Sequence, residues 1–164
     1  MGKKSVKEDK TIYQLAREEA GLTRANASEL LNFVSESRIE KIESEKSEAH
    51  PDEVLAMASA YKKPSLCNYY CANVCPIGQE YVPEVEIKDL AQITLEILST
   101  INALSKQKDR LVEITVDGKI SPDEITDFKQ LVEELDKMSL VIDSLKLWID
   151  NTVALDESSP LTET

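Results

Sequence analysis

The residues best equipped for chemistry in this chain are three cysteines, Cys67, Cys71 and Cys75, and a single histidine, His50. The C-x₃-C-x₃-C spacing puts the thiols at i, i+4 and i+8, so on a helix they share one face. This leaves two readings. In one, small reduced cysteines pack that face against a neighbouring element, as buried thiols commonly do. In the other they are metal or iron–sulfur ligands, or a redox sensor, with His50 as a fourth ligand. Three thiols on a straight helix span about 12 Å at 1.5 Å per residue, too far for one tetrahedral ion. Ligation therefore requires a break near Cys75, which Pro76 permits. Packing is the favoured role, with His50 as a loop residue before Pro51, and no other cofactor is implied. One histidine, no Gly-rich phosphate loop and no converging carboxylate pair leave almost no catalytic inventory, so an enzyme is not expected.

Position matters for these residues because the chain is not uniform. Its 164 residues are 41% apolar and 30% charged, which excludes disorder of the whole chain, and 19 Lys and Arg against 31 Asp and Glu give a net charge of −12. Such a balance argues against a protein coated in basic surface for nucleic acid. The mean conceals two halves, however. Residues 1–64 carry 11 basic and 12 acidic residues, a balance of −1, whereas residues 65–164 carry 8 and 19, a balance of −11. No run of 18 apolar residues exists, and no apolar segment comes after the basic N-terminus. The expectation is a cytoplasmic protein with no membrane partner.

With 4 Gly and 6 Pro, the chain has few places to turn, which favours long helices. Ile12, Leu15, Ala16 and Ala20 recur at helical spacing, with Gly21 as the residue after the helix. Thr23 caps a second helix whose inner face is Ala27, Leu30 and Leu31, ending near Asn32. Ser35 caps a third with Ile39 and Ile42 buried and Glu36, Ser37, Arg38, Glu40 and Lys41 outward. Pro51 opens a fourth carrying Val54, Leu55, Met57, Ala58 and Tyr61. A short helix is expected from Ser65 to Cys75, stopped by Pro76. Apolar residues from Ile87 to about Val116 predict a helix of roughly 40 Å, broken at Asp117-Gly118. Ser121-Pro122-Asp123-Glu124 reads as a capping box that begins a second long helix. The fold class is all-α, and the two long helices form an antiparallel hairpin.

Gly21-Leu22-Thr23, Ala27-Ser28-Glu29, Leu31, Ser35 to Ile39 and Ile42-Glu43 form an ordered pattern of caps and core positions. Over about residues 10–66 this pattern resembles the Cro/repressor (XRE-type) helix-turn-helix family of transcriptional regulators. The resemblance implies a lambda-repressor-like domain that binds double-stranded DNA, with the third helix in the major groove. It places Arg24 against a phosphate and Ser35, Glu36, Ser37, Arg38 and Lys41 on the reading helix. The turn Asn32-Phe33-Val34-Ser35 is one residue longer than the family's Gly-centred turn, and Glu36 stands where a neutral or basic residue is more usual.

The expected division is a helix-turn-helix DNA-binding domain at 1–66, a cysteine-rich connector at 67–86, the dimerising hairpin at 87–155 and a disordered tail at 156–164. Asp117-Gly118-Lys119-Ile120-Ser121 with Glu124 has the second half of a calcium loop but not the alternating oxygen ligands of the first, so a plain helix–helix turn is expected. Val112, Val132, Leu140, Val141, Leu147 and Trp148 widen the apolar stripe beyond one seam. Pairing of two copies into a four-helix bundle would cover it, giving a homodimer. The other reading is a protein-interaction adaptor, in which the acidic hairpin holds a protein partner and the helix-turn-helix fold is a scaffold.

Overall fold

Three short helices begin in the same way, with a hydroxyl accepting from the amide three residues on. Thr11 accepts from Gln14 N–H ahead of α1 (Ile12–Glu19), Thr23 from Asn26 N–H ahead of α2 (Arg24–Leu31), and Ser35 from Arg38 N–H ahead of α3 (Glu36–Glu43). Each bond satisfies one of the amides a helix start leaves without a partner. Pro51 then opens α4 (Pro51–Ala60), where a missing N–H costs nothing. The computed structural model describes residues 10–116, 121–122 and 124–156, and among these every regular element is a helix. Residues 1–9 of the basic N-terminus, the 117–120 segment of the calcium-loop comparison, Asp123 and residues 157–164 lie outside the described residues.

Three of the helix ends, after α1, α3 and α4, share one pattern. After α1, Gly21 N–H donates to Glu18 C=O and Leu22 N–H to Arg17 C=O, with Gly21 at φ +71°. Two further ends make the same pair of bonds without glycine, through Glu45 (φ +58°) after α3 and Lys62 (φ +53°) after α4. Between α2 and α3, Asn32 at φ +58° and ψ −50° lets Phe33 N–H donate to Leu31 C=O at 2.6 Å. This is the rarer, strained form of γ-turn. It leaves Phe33 exposed while Val34 is buried.

Ala27, Leu31, Val34, Ile39, Ile42, Val54, Met57 and Leu66 close one apolar core among these helices. Full burial of such a side chain contributes about 1.5–3 kcal/mol. The inner faces differ from the sequence reading at four positions, one of them the exposed Ala20 at the end of α1. Leu15, Leu30 and Leu55 are exposed, because on these eight- to ten-residue helices the tertiary contacts fall on Ala16, Ala27, Leu31, Val54 and Met57 and leave their neighbours outside.

The connector holds a second difference. The helix from Ser65 ends at Asn73 (α5), and Pro76 is the first residue of another, α6 (Pro76–Tyr81). A proline that blocks continuation of one helix is well suited to start the next. The two pack so closely that a Cβ on Gly78 would lie 2.0 Å from the Cys71 carbonyl oxygen.

Among the described residues, 10–84 together with 150–156 make one compact unit, and those within 85–149 make another. Asp89 caps α7 (Leu90–Thr115), and Ser121 and Glu124 are hydrogen-bonded ahead of α8 (Ile125–Asp156), which starts three residues later than Pro122 and whose residues from Asp150 onward count with the first unit. Arg110 of α7 reaches Asp127 of α8 at 2.7 Å, joining the two helices. Ile93 and Ile114 of α7 and Leu131, Val141 and Leu147 of α8 are buried. The buried hydroxyls of Thr100 and Ser144 donate to the carbonyls of Glu96 and Leu140, so neither is left unsatisfied. No helix among the described residues is long and apolar enough to cross a membrane.

Candidate nucleic-acid interface

The third helix buries Ile39 and Ile42 and turns Glu36, Ser37, Glu40 and Lys41 to solvent. Spacing fixes this division: 39 and 42 lie on one face, while 37 and 41 stand one above the other on the opposite side. Ser35 caps the helix start, next to that exposed face.

Arg38 is placed differently from its neighbours. Its Nε donates to Glu53 Oε1 at 2.7 Å, and its Nη2 donates to Glu53 Oε2 at 2.7 Å and to the Glu48 carbonyl at 2.7 Å. Its Nη1 donates to Ser47 Oγ at 2.5 Å. Glu53 is simultaneously held by the His50 amide at 2.7 Å, the carboxylate half of a capping box at the start of α4. The hydrogen bonds to Glu53 raise the Arg38 pKa. Burial alone would raise the Glu53 carboxyl, but its bonds from Arg38 and His50 outweigh that, and its pKa is lowered. The guanidinium thus ties α3 to the start of α4 and to the loop between them.

A second ionic cluster lies under the other end of α3. The side chain of Glu43 is 1% exposed and receives Arg17 Nε at 2.5 Å, Arg17 Nη2 at 3.0 Å and Arg24 Nε at 2.8 Å. Arg17 also donates to the Leu22 carbonyl at 2.6 Å. Burial works against the Arg17 charge, yet hydrogen bonding to Glu43 prevails and its pKa is raised. Removing one member of such a buried group leaves an uncompensated charge, at about 3–5 kcal/mol. Arg24 is the outermost member, its side chain 34% exposed. The buried carboxylate therefore holds a cation at the start of α2.

The three cysteines are free thiols with three different surroundings. Cys67 packs against the helix-turn-helix core, and burial, with the neighbouring Cys71, raises its pKa. Cys71 lies in α5 where Gly78 meets its backbone, and Cys75 caps α6, its Sγ accepting from Gly78 N–H at 3.5 Å. Among the described residues no group of three or more His, Cys, Asp and Glu side chains is placed to hold a metal ion. His50 sits at the start of α4 and is exposed.

Sequence reasoning assigned no role to Glu53, Glu43 or Arg17. A signal existed for Glu53, which stands three residues after the helix-start residue where a capping-box carboxylate belongs. Glu43 stood in the family pattern without a role, and nothing local pointed to Arg17, which meets it across 26 residues.

Five helices packed about one core, with α2 and α3 joined by a tight turn, define a helix-turn-helix domain. Residues 14–65 match the family described as helix-turn-helix. Over those residues the chain is similar to that family, in agreement with its resemblance to the Cro/repressor (XRE-type) helix-turn-helix proteins. No curated protein and no solved structure is significantly similar to the chain.

Proposed function

We propose that the protein is a non-enzymatic, sequence-specific DNA-binding transcriptional regulator that acts as a homodimer through its C-terminal helices. One observation carries the reading. The chain has a helix-turn-helix domain whose third helix buries its apolar side and leaves a polar side open to solvent. In this reading α3 enters the major groove, Ser37 and Lys41 meet base edges, and Ser35 and Glu36 lie at its leading end. A carboxylate there accepts from cytosine N4. Arg24 contacts a phosphate, directed by Glu43. Arg38 sets the angle of α3, since its donors are committed to Glu53, Ser47 and Glu48.

Charge then explains why two copies are needed. The open face of α3 carries Glu36 and Glu40 against Lys41, so one domain gains little from phosphates. Two linked domains on half-sites one helical turn apart add their affinities through effective concentration. Selection of bound sequences from a random double-stranded DNA pool tests the reading. Enrichment of a motif with paired half-sites about 10 base pairs apart supports it, and recovery of an unenriched pool overturns it.

A second reading, a protein-interaction adaptor built on the same fold, is favoured by those two glutamates and by the acidity of residues 65–164. Salt separates the two. DNA binding weakens steeply as salt rises, whereas an apolar protein interface does not.

A further inference from the structure

A groove opens between the start of α1, the loop from Ser44 to His50 and the α5–α6 hairpin, all within the first unit. Its apolar walls include Ile42, Val74 and Tyr69, and the Tyr69 ring is fixed edge-to-face against buried Tyr13 at 6.2 Å between centroids. Its charges are Glu45, Glu48 and Lys10, and Lys10 is neutralised by Glu18 at 2.6 Å. Two further lining side chains are amides that spend a donor internally: Asn73 Nδ2 on the Tyr69 carbonyl and Gln79 Nε2 on the Asn73 carbonyl. Each amide keeps one further N–H, and the groove also has the amide oxygens, an aromatic ring and, at exposed Glu45 and Glu48, two carboxylates with no ion pair among the described residues.

We propose that this groove binds an organic amine with an aromatic body. A protonated amine supplies the donors and the positive charge that the carboxylates and amide oxygens lack. An aromatic body fits the tyrosine and aliphatic walls, where a cation is also attracted to a ring face. The wall has a connection to α3. Ser47 Oγ and the Glu48 carbonyl line the same loop and hold the Arg38 guanidinium. A ligand seated against Glu48 therefore acts on the loop that fixes the third helix. The binding proposal is independent of whether the protein reads DNA.

The test is a titration of the full-length ¹⁵N-labelled protein, monitored by amide and arginine Nε–H resonances, with three probes of one shape. They are phenethylamine (cationic at pH 7), 2-phenylethanol (neutral) and phenylacetate (anionic). The amine is expected to give saturable shifts at Ser47, Glu48, Ala49 and Asn73, with the Arg38 Nε–H moving in step. It should bind at least about fivefold more tightly than the alcohol, and the anion more weakly still. In the double variant Glu45→Gln, Glu48→Gln, both positions being exposed, affinity for the amine should fall about fivefold or more while the alcohol is unaffected. Equal binding of the three probes, amine shifts confined to other residues, or unchanged amine affinity in the double variant overturns the proposal.

Discussion

Arg38 and Glu53 are joined by two parallel charge-assisted hydrogen bonds, each 2.7 Å, across fifteen residues of chain. The fork-to-fork geometry fixes direction as well as distance. It attaches the third helix to the start of α4, so the orientation of the polar face of α3 depends on a residue outside the helix-turn-helix segment itself. Arg38→Ala should destabilise the fold by about 2–3 kcal/mol, because it leaves the largely buried Glu53 with only the His50 amide. Arg38→Lys should recover little, since an ammonium cannot make both bonds. Urea unfolding of both variants checks this; a loss below about 0.5 kcal/mol for the alanine variant contradicts it.

The same pair sets a pH dependence. The Glu53 carboxyl has its pKa lowered in the folded protein, as does that of Glu18, through hydrogen bonds from Lys10 and Gln14. Below the ordinary glutamate range the unfolded chain binds more protons than the folded one, so stability rises with pH there. The contribution is complete above about pH 5 and is lost as pH falls through the lowered values. Urea midpoints measured from acid to neutral pH should show this slope, and Glu53→Gln should flatten it.

Lys62 adopts φ +53° at a helix end where Gly21 plays the same part after α1. A side chain in the left-handed region costs about 1 kcal/mol. Lys62→Gly is therefore expected to stabilise the protein by up to about 1 kcal/mol, and Gly21→Ala to destabilise it by a similar amount. Nothing lies within 4 Å of a Cβ at Gly21, so that cost is conformational and not steric. Thermal unfolding of the two variants should shift in opposite directions.

Gly78 is constrained by contact. A methyl group there would overlap the Cys71 carbonyl, with backbone atoms at 2.0, 2.6 and 2.9 Å. Gly78→Ala should separate α6 from α5 while leaving the core around Ile39 and Met57 intact. Hydrogen exchange is the measurement. The amides of Cys75 and Val82, bonded to Tyr70 and Gly78, should lose protection, and those of α3 and α4 should keep it.

The dimer reading is tested on the second unit. Ile125, Val132, Leu135, Ile142 and Ile149 are exposed on α8 at intervals of seven, three, seven and seven residues, as positions of a heptad seam recur, beside the buried Leu131, Val141 and Leu147. Leu135→Glu with Ile142→Glu costs a monomer little, because both side chains already meet water. It should halve the mass seen by sedimentation if a second copy covers this seam. An unchanged dimer relocates the interface, and a monomeric wild-type protein removes it.

The caps at Thr23 and Ser35, the stop at Gly21, the start at Pro51 and the burial of Ile39 and Ile42 were all legible in the sequence. Each depends on residues within one or two turns of each other, where cap chemistry and helical periodicity act directly. The same local rules gave the stop before Pro76 but missed the helix that Pro76 opens, which depends on packing against α5. They also failed at Leu15, Leu30 and Leu55, because an eight- or ten-residue helix cannot specify from its own pattern which of two adjacent apolar residues meets the core.

The amino-acid sequence by itself determined an all-helical chain with a helix-turn-helix segment near its start and a net acidity concentrated in residues 65–164. Only the tertiary structure decided the use of its charges: Arg38 on Glu53, and Arg17 and Arg24 on Glu43. Helix formation is a near-neighbour property, whereas an ion pair needs two side chains brought together from distant parts of the chain. The charge an arginine offers to a partner is known only when its own carboxylate is found.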